Sequence, residues 1–310
     1  MTALRPLEDG AVVARAPAKV NVHLAVGPLR PDGFHELRTV YFAVSLFDTV
    51  TVRPGDGLAL TVTGEGAAVV PTDRGNLAWR AAELLAASAG VHADADIAIA
   101  KSIPAAAGLA GGSADAAAAL VALDALWATG ASREDLTGLA AQLGSDVPFS
   151  LLGGVALGSG RGEQVSPVLA RTPSHWVLGI AGEGLSTPAV YGELDRLRAA
   201  DRVPDGTELA PAGPVISALR TGPTAALAAA LHNDLQAPAL ALRPELRRAL
   251  AAATDAGAVG TLVSGSGPTV AALVDDEESA VRLTAALAGA GVFRTVRAVY
   301  GPVPGARLVG

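Results

Sequence analysis

Pro104, Ala105, Ala106, Ala107, Gly108, Leu109, Ala110, Gly111, Gly112, Ser113 and Ala114 form an unbroken run of small residues, with Leu109 its one bulky side chain. Before the run, Asp96 to Lys101 alternates polar and apolar side chains and predicts a short strand. After it, residues 113 to 128 hold Ala, Leu and Val with no Gly or Pro, which predicts a helix. A loop of small residues opening onto a helix presents unpaired N–H groups and the positive end of the helix dipole, and nothing bulky keeps a phosphate away. Ser113 can either cap that helix or ligate a phosphate-bound Mg²⁺. An ordinary Gly/Ala turn is the competing reading in a chain with 36 glycines. Neither G-x-x-x-x-G-K-[ST] nor G-x-G-x-x-G is present here.

A polyphosphate needs positive charge, and the chain as a whole is acidic, with a formal charge of −7. That balance argues against a nucleic-acid surface and leaves the task to local groups. Of 23 basic residues only two are lysines, Lys19 and Lys101, leaving 21 arginines. A lysine kept among so many arginines suits a site that needs a compact ammonium rather than a planar fork. Lys19 precedes Asn21 and His23, which share the polar face of a strand whose other face carries Val20, Val22, Leu24 and Val26. Asp146, in Ser145-Asp146-Val147-Pro148, is a candidate for acid–base chemistry and equally a turn or cap aspartate.

The elements that must position these groups follow from the same patterning. Residues 11 to 16 and 20 to 26 read as two strands flanking Pro17-Ala18-Lys19, followed by a turn at Pro31-Asp32-Gly33. Residues 40 to 53 and 58 to 63 read as an antiparallel pair joined around Pro54-Gly55-Asp56-Gly57. Residues 76 to 89 are helical and end at Gly90. A further helix runs from Ser132, with Asp135 at capping-box distance, to Leu143 and Gly144. Residues 158 to 174 are rich in Gly, Ser, Arg and Pro, and 201 to 223 read as a polar, proline-containing loop around a strand at 176 to 181. Then come helices at 225 to 232 and 244 to 256, strands at 260 to 264 and 269 to 275, a helix at 277 to 290 and a strand at 293 to 300. Asn233 and Asp234 read as capping residues. Gly265-Ser266-Gly267-Pro268 forms a second small-residue loop, which spacing alone reads as a hairpin.

This irregular mixture predicts an α+β fold, with 310 residues sufficient for two domains, 1–165 and 166–310, the second a ferredoxin-like α/β sandwich. The absence of cysteine excludes disulfides and thiolate chemistry. No run reaches the roughly 18 apolar residues of a membrane helix. Glu8 and Asp9 with no apolar stretch near them argue against a signal peptide, so the expectation is a soluble, cytoplasmic protein.

Three separated segments resemble the motifs of the GHMP kinases: Pro17-Ala18-Lys19-Val20-Asn21; the loop Pro104 to Asp115 with Gly144 to Pro148; and Ser264 to Gly267. Together they run from residue 12 to 275 in the family's order. Within the family, Arg30-x-Asp32-Gly33-Phe34-His35 is similar to the members acting on 4-diphosphocytidyl-2-C-methyl-D-erythritol in the non-mevalonate isoprenoid route. The resemblance implies a ribosomal protein S5 domain 2-like N-terminal domain and an ATP- and Mg²⁺-dependent phosphorylation of that small molecule's 2-hydroxyl, by a monomer or weak homodimer. It implies Asp146 as general base beside Lys19, the loop 104 to 114 around the ATP phosphates, and Asn76, Leu77 and Lys101 on the adenine side. Phe34, His35, Tyr191 and Thr187 would read the cytosine, Asn21 the methylerythritol, and Gly265, Ser266 and Gly267 would border the substrate. The dull alternatives are a helix cap for Asn76, a solvated strand end for Lys101, and surface or core rings for Phe34, His35 and Tyr191. A homoserine- or mevalonate-type kinase, or a non-catalytic ATP-binding protein, are the alternative functions. The pattern departs from the family at Ala106, Ala107 and Ala110, which stand for glycines, at Ala114, which stands for a second serine, and at Phe34, which stands for tyrosine.

Overall fold

Strand β1 (Val12–Leu29) carries the polar face just described and passes through Pro17 without ending. The computed structural model describes residues 10–171, 173–182 and 184–309; Glu8 and Asp9 lie outside them. Two strands were expected where one is found. Pro17 pairs with Phe47 and Ala18 with Val44 on β2 (His35–Arg53), so a bulge absorbs the missing proline N–H. Lys19, Asn21 and His23 are all buried.

The expected hairpin between residues 40–53 and 58–63 does not form. Strand β3 (Leu58–Gly64) pairs in parallel with β4 (Ala95–Lys101), and β4 lies between it and β2. The parallel pair needs a crossover, which α1 (Leu77–Ala89) supplies. Burial explains the order: β4 buries Ile97 and Ile99, whereas β3 buries only Leu60 and takes the edge.

Helix α2 (Gly111–Trp127) is apolar nearly all round and sits in the main core. Beside it lie α1, α3 (Arg133–Leu143), which carries the Ser132/Asp135 capping box, and α4 (Val147–Leu152). Strands β5 (Val155–Ser159) and β6 (Gln164–Pro167) form a hairpin on β2.

The second half builds β7 (Ser174–Ile180), α5 (Thr187–Ala199), α6 (Gly213–Thr221), α7 (Thr224–Ala230), β8 (His232–Asn233), α8 (Gln236–Leu242), α9 (Leu246–Asp255), β9 (Gly260–Val263), β10 (Thr269–Val274), α10 (Glu277–Gly289), β11 (Thr295–Gly301) and β12 (Arg307–Leu308). Its four-stranded sheet runs β11-β7-β10-β9, all antiparallel. That is the ferredoxin-like order. Helix α6 falls where a polar loop was expected; its apolar contacts Val215, Ala218 and Leu219 recur at helical spacing between flanking Pro and Gly. Strands β8 and β12 return to the first sheet and pair with β1. No helix among the described residues is long and apolar enough to cross a membrane.

Candidate active site

The polar face of β1 forms the floor of a cavity of about 710 Å³. Lys19 Nζ donates to Asn21 Oδ1 at 2.6 Å, and Asn21 Nδ2 donates to Thr39 Oγ1 at 2.8 Å. The same ammonium lies 3.8 Å from Asp146 Oδ2. Asp146 occupies the N-cap position of α4 but makes no side-chain cap bond. Its Oδ1 instead accepts from the Tyr41 hydroxyl at 2.9 Å. Burial pulls Lys19 below the ordinary lysine value, and the Asp146 charge opposes that. Burial first, and then Asp146, push Tyr41 well up, so the phenol keeps its proton and acts as donor. The result is a carboxylate with one oxygen held by a phenol and the other facing an ammonium. Such a group can take a proton from an alcohol.

Above it lies the small-residue loop. Helix α2 starts at Gly111 with Ala110 as N-cap, which corrects the reading of Ser113 as the cap: Ser113 is in the first turn and lines the cavity. The first N–H groups of a helix have no partner within it, so this turn can bind an anion. Gly108 (φ 75°), Ala106 (φ 50°) and Ala110 (φ 58°) are left-handed, whereas Ala107 keeps a negative φ. The two left-handed alanines each cost about 1 kcal/mol or more where glycine would not. Pro104, Ala106, Ala107, Gly108, Ala110, Gly111 and Gly112 line the cavity, while Leu109 and Ala114 are buried in the core. The Leu109 carbonyl accepts from the Lys19 N–H at 3.2 Å, fastening loop to strand. A Cβ on Gly108 would collide with the Ser264 carbonyl, and Ser264 Oγ donates to the Gly108 carbonyl at 3.1 Å. The third motif therefore braces the second.

Lys101 is a buried strand end, which excludes the solvated one. Its Nζ donates to Asp48 Oδ2 at 2.5 Å and to Asp115 Oδ2 at 2.6 Å. Asp48 Oδ1 accepts the N–H groups of Ser102 and Ile103. Burial lowers the ammonium's pKa, but the two carboxylates outweigh it and leave Lys101 raised. Burial pushes Asp115 up to about 7, with Lys101 pulling it down and Asp48 pushing it up. The triad pins β2, β4, the start of the loop and the second turn of α2. Lys101, Asn76, Leu77 and Ala105 line a smaller cavity of about 240 Å³ that shares Ala106 and Gly112 with the larger one. Asn76 also caps α1, accepting from the Ala78 N–H at 2.8 Å.

At the far end of the large cavity, His35 Nε2 meets Asp195 Oδ1 at 2.9 Å, and its ring lies 5.1 Å from that of Tyr191. Phe34 is exposed and also lines the cavity. Thr187 Oγ1 and Ser266 Oγ are 2.9 Å apart. Gly265 and Ser266 line the cavity and Gly267 does not. A Cβ on Gly265 would come within 3.1 Å of Asn21 Oδ1 and 3.2 Å of Lys19 Nζ, so this loop closes directly over the polar floor. Asn233 is more than a cap: besides accepting from the Leu235 N–H, its Nδ2 donates to the Val263 and Gly265 carbonyls.

Sequence reasoning missed Tyr41, Asp48, Asp115 and Asp195. Tyr41 was accessible only through the register, which sets it opposite Asn21. Among the described residues no three His, Asp or Glu side chains cluster closely enough to hold a metal ion. With the Ser113 hydroxyl beside the loop, this donor set suits Mg²⁺ that arrives on a polyphosphate and keeps most of its ligands there.

The family description "GHMP kinases N terminal domain" matches residues 76–154, and "GHMP kinases C terminal" matches residues 215–292. A protein of Rhodococcus jostii is 60% identical over 300 residues, covering 96% of this chain and 95% of that protein. The chain belongs to the GHMP kinase family. The Rhodococcus relative of this GHMP kinase is named 4-diphosphocytidyl-2-C-methyl-D-erythritol kinase. A crystal structure of 4-(cytidine 5'-diphospho)-2C-methyl-D-erythritol kinase superposes with TM-score 0.74 at 36% identity, covering 96% of this chain and 99% of that one. A homoserine kinase from Cytophaga hutchinsonii superposes with TM-score 0.76 over the full length of both chains at 20% identity, which shows a shared fold and nothing more.

Proposed function

We propose that this GHMP kinase transfers the γ-phosphoryl group of ATP to the 2-hydroxyl of 4-diphosphocytidyl-2-C-methyl-D-erythritol. The carrying observation is one cavity with two chemistries: Lys19 and Asp146 are 3.8 Å apart beside the 104–113 loop, and Phe34, His35 and Tyr191 line its other end. Homoserine and mevalonate have no base for those rings to read. The 60% identity to a relative named for this activity supports the same reading.

In this mechanism Asp146 accepts the proton of the 2-hydroxyl as that oxygen forms its bond to the γ-phosphorus and the bond to the ADP oxygen breaks. Lys19 faces the carboxylate and offsets charge on the moving group, while Tyr41 fixes the carboxylate's orientation. The first-turn N–H groups of α2 and the glycines of the loop bind the phosphates. Bound Mg²⁺ supplies charge neutralisation on the polyphosphate, with Ser113 as its protein hydroxyl. Asn21 orients the methylerythritol, and the nucleoside of ATP occupies the smaller cavity by Asn76, Leu77 and Lys101. In the same reading residues 1–165 carry the ATP loop and the Lys–Asp pair, residues 166–310 carry the third motif, and the protein works in the cytoplasm as a monomer or weak homodimer.

The test is ADP release from ATP and Mg²⁺ with each acceptor in turn. Turnover is expected with the cytidyl substrate alone. Turnover only with homoserine or mevalonate, or ATP binding without turnover, would contradict the proposal.

A further inference from the structure

Resting on that reading, we propose that Arg161 is the cationic anchor for the diphosphate of the cytidyl substrate. Arg161 sits at the tip of the β5–β6 hairpin, and its guanidinium carbon lies 4.8 Å from the centroid of the Phe34 ring. Both side chains line the large cavity. The hairpin tip is fixed to β2: the Leu37 N–H donates to the Gly160 carbonyl at 2.8 Å, and the Gly160 N–H donates to Glu36 Oε1 at 3.1 Å. The Gly162 carbonyl lies 3.4 Å from the Tyr41 hydroxyl that holds Asp146. Arg161 therefore reaches the ring that would stack on the base, while the next residue of the same tip touches the phenol that holds the carboxylate that would take the proton. In a substrate with a base at one end and an alcohol at the other, that is the place of the diphosphate.

Charge points the same way. The charged side chains on the cavity wall are Lys19, Asp146, Asp195 and Arg161, with the His35 imidazole beside them. Lys19 is 3.8 Å from Asp146 and His35 is bonded to Asp195; Arg161 is paired through Nε alone, 3.9 Å from Glu163, a residue that does not line the cavity. Among the described residues the guanidinium makes no side-chain hydrogen bond, so its N–H groups can serve a ligand. With its guanidinium carbon 4.8 Å over the Phe34 ring, Arg161 can offer its terminal N–H groups for the bidentate contact that phosphate oxygens accept.

The experiment is calorimetric titration of wild type, Arg161→Ala and Arg161→Lys with cytidine and with CDP, the ATP site being filled by a non-hydrolysable ATP analogue. Arg161→Ala should lose tenfold or more in CDP affinity while cytidine binding stays within twofold, and Arg161→Lys should fall between. The loss for CDP should shrink at high salt. Equal losses for cytidine and CDP would mean that Arg161 acts only by packing on Phe34, and no loss would remove it from the site; either result overturns the proposal. Wild type that binds neither compound would instead overturn the substrate reading beneath it. Thermal melting of each variant establishes that it is folded.

Discussion

The Tyr41 hydroxyl donates to Asp146 Oδ1 at 2.9 Å, on the carboxylate oxygen other than the one that faces Lys19. The two partners together fix the plane of the carboxylate. A hydrogen bond to a charged group contributes about 1.5–3 kcal/mol, so Tyr41→Phe should lower kcat by about ten- to a hundredfold and leave the KM for ATP nearly unchanged. A Cβ on Gly162 would collide with the same hydroxyl, and Gly162→Ala should lower kcat in the same direction. Steady-state kinetics check both; an unchanged kcat in Tyr41→Phe would show that the phenol does not orient Asp146.

The left-handed alanines of the loop make a stability prediction. Ala110 has φ 58° and is also the N-cap of α2, a position where glycine is much preferred to alanine. Ala110→Gly should therefore stabilise the protein by about 1 kcal/mol. Ala107, buried with a negative φ, is the control, and Ala107→Gly should destabilise. Denaturant unfolding of the two variants measures the difference. Two shifts of the same sign would contradict the argument from backbone conformation.

The buried triad makes a prediction about pH. Burial raises Asp115 from 3.8 to about 7, so between about pH 4 and 7 the folded protein holds a proton that the unfolded chain has released. Stability from this group is therefore lost as pH rises through that window and is level above it. Asp115→Asn removes the titration while Asp48 still holds Lys101. The fall in Tm from pH 5 to pH 8 should be smaller in Asp115→Asn than in wild type, as thermal melts at each pH will show. Parallel Tm profiles would place the titration elsewhere.

What was legible in the sequence was what local spacing encodes. Alternation along β1 puts Lys19 and Asn21 on one face, and the Ser132/Asp135 pair marks the start of α3. The four-stranded sheet was readable because its strands and helices follow one another in simple order. The place of β4 between β2 and β3 was not, because nearness in sequence favours a hairpin and only the greater burial of Ile97 and Ile99 decides against it. Likewise Asp48 is 53 residues from Lys101, and nothing local marks it as that lysine's partner. Asn233 is read as a cap because its neighbours in the chain offer it one; its bond to Gly265 exists only in the fold. Side chains that act across elements are the ones that sequence spacing hides.

The central claim is that Asp146, held by Tyr41 and facing Lys19, takes the proton of the acceptor alcohol. Its most direct test is Asp146→Asn, with kcat measured on the cytidyl substrate and the Kd for ATP measured on the same preparation. The account predicts that kcat falls by about 10²–10⁴-fold, the usual worth of a positioned base, while the Kd for ATP stays within about twofold, since the phosphates are held by the loop. A variant that turns over at the wild-type rate would contradict it.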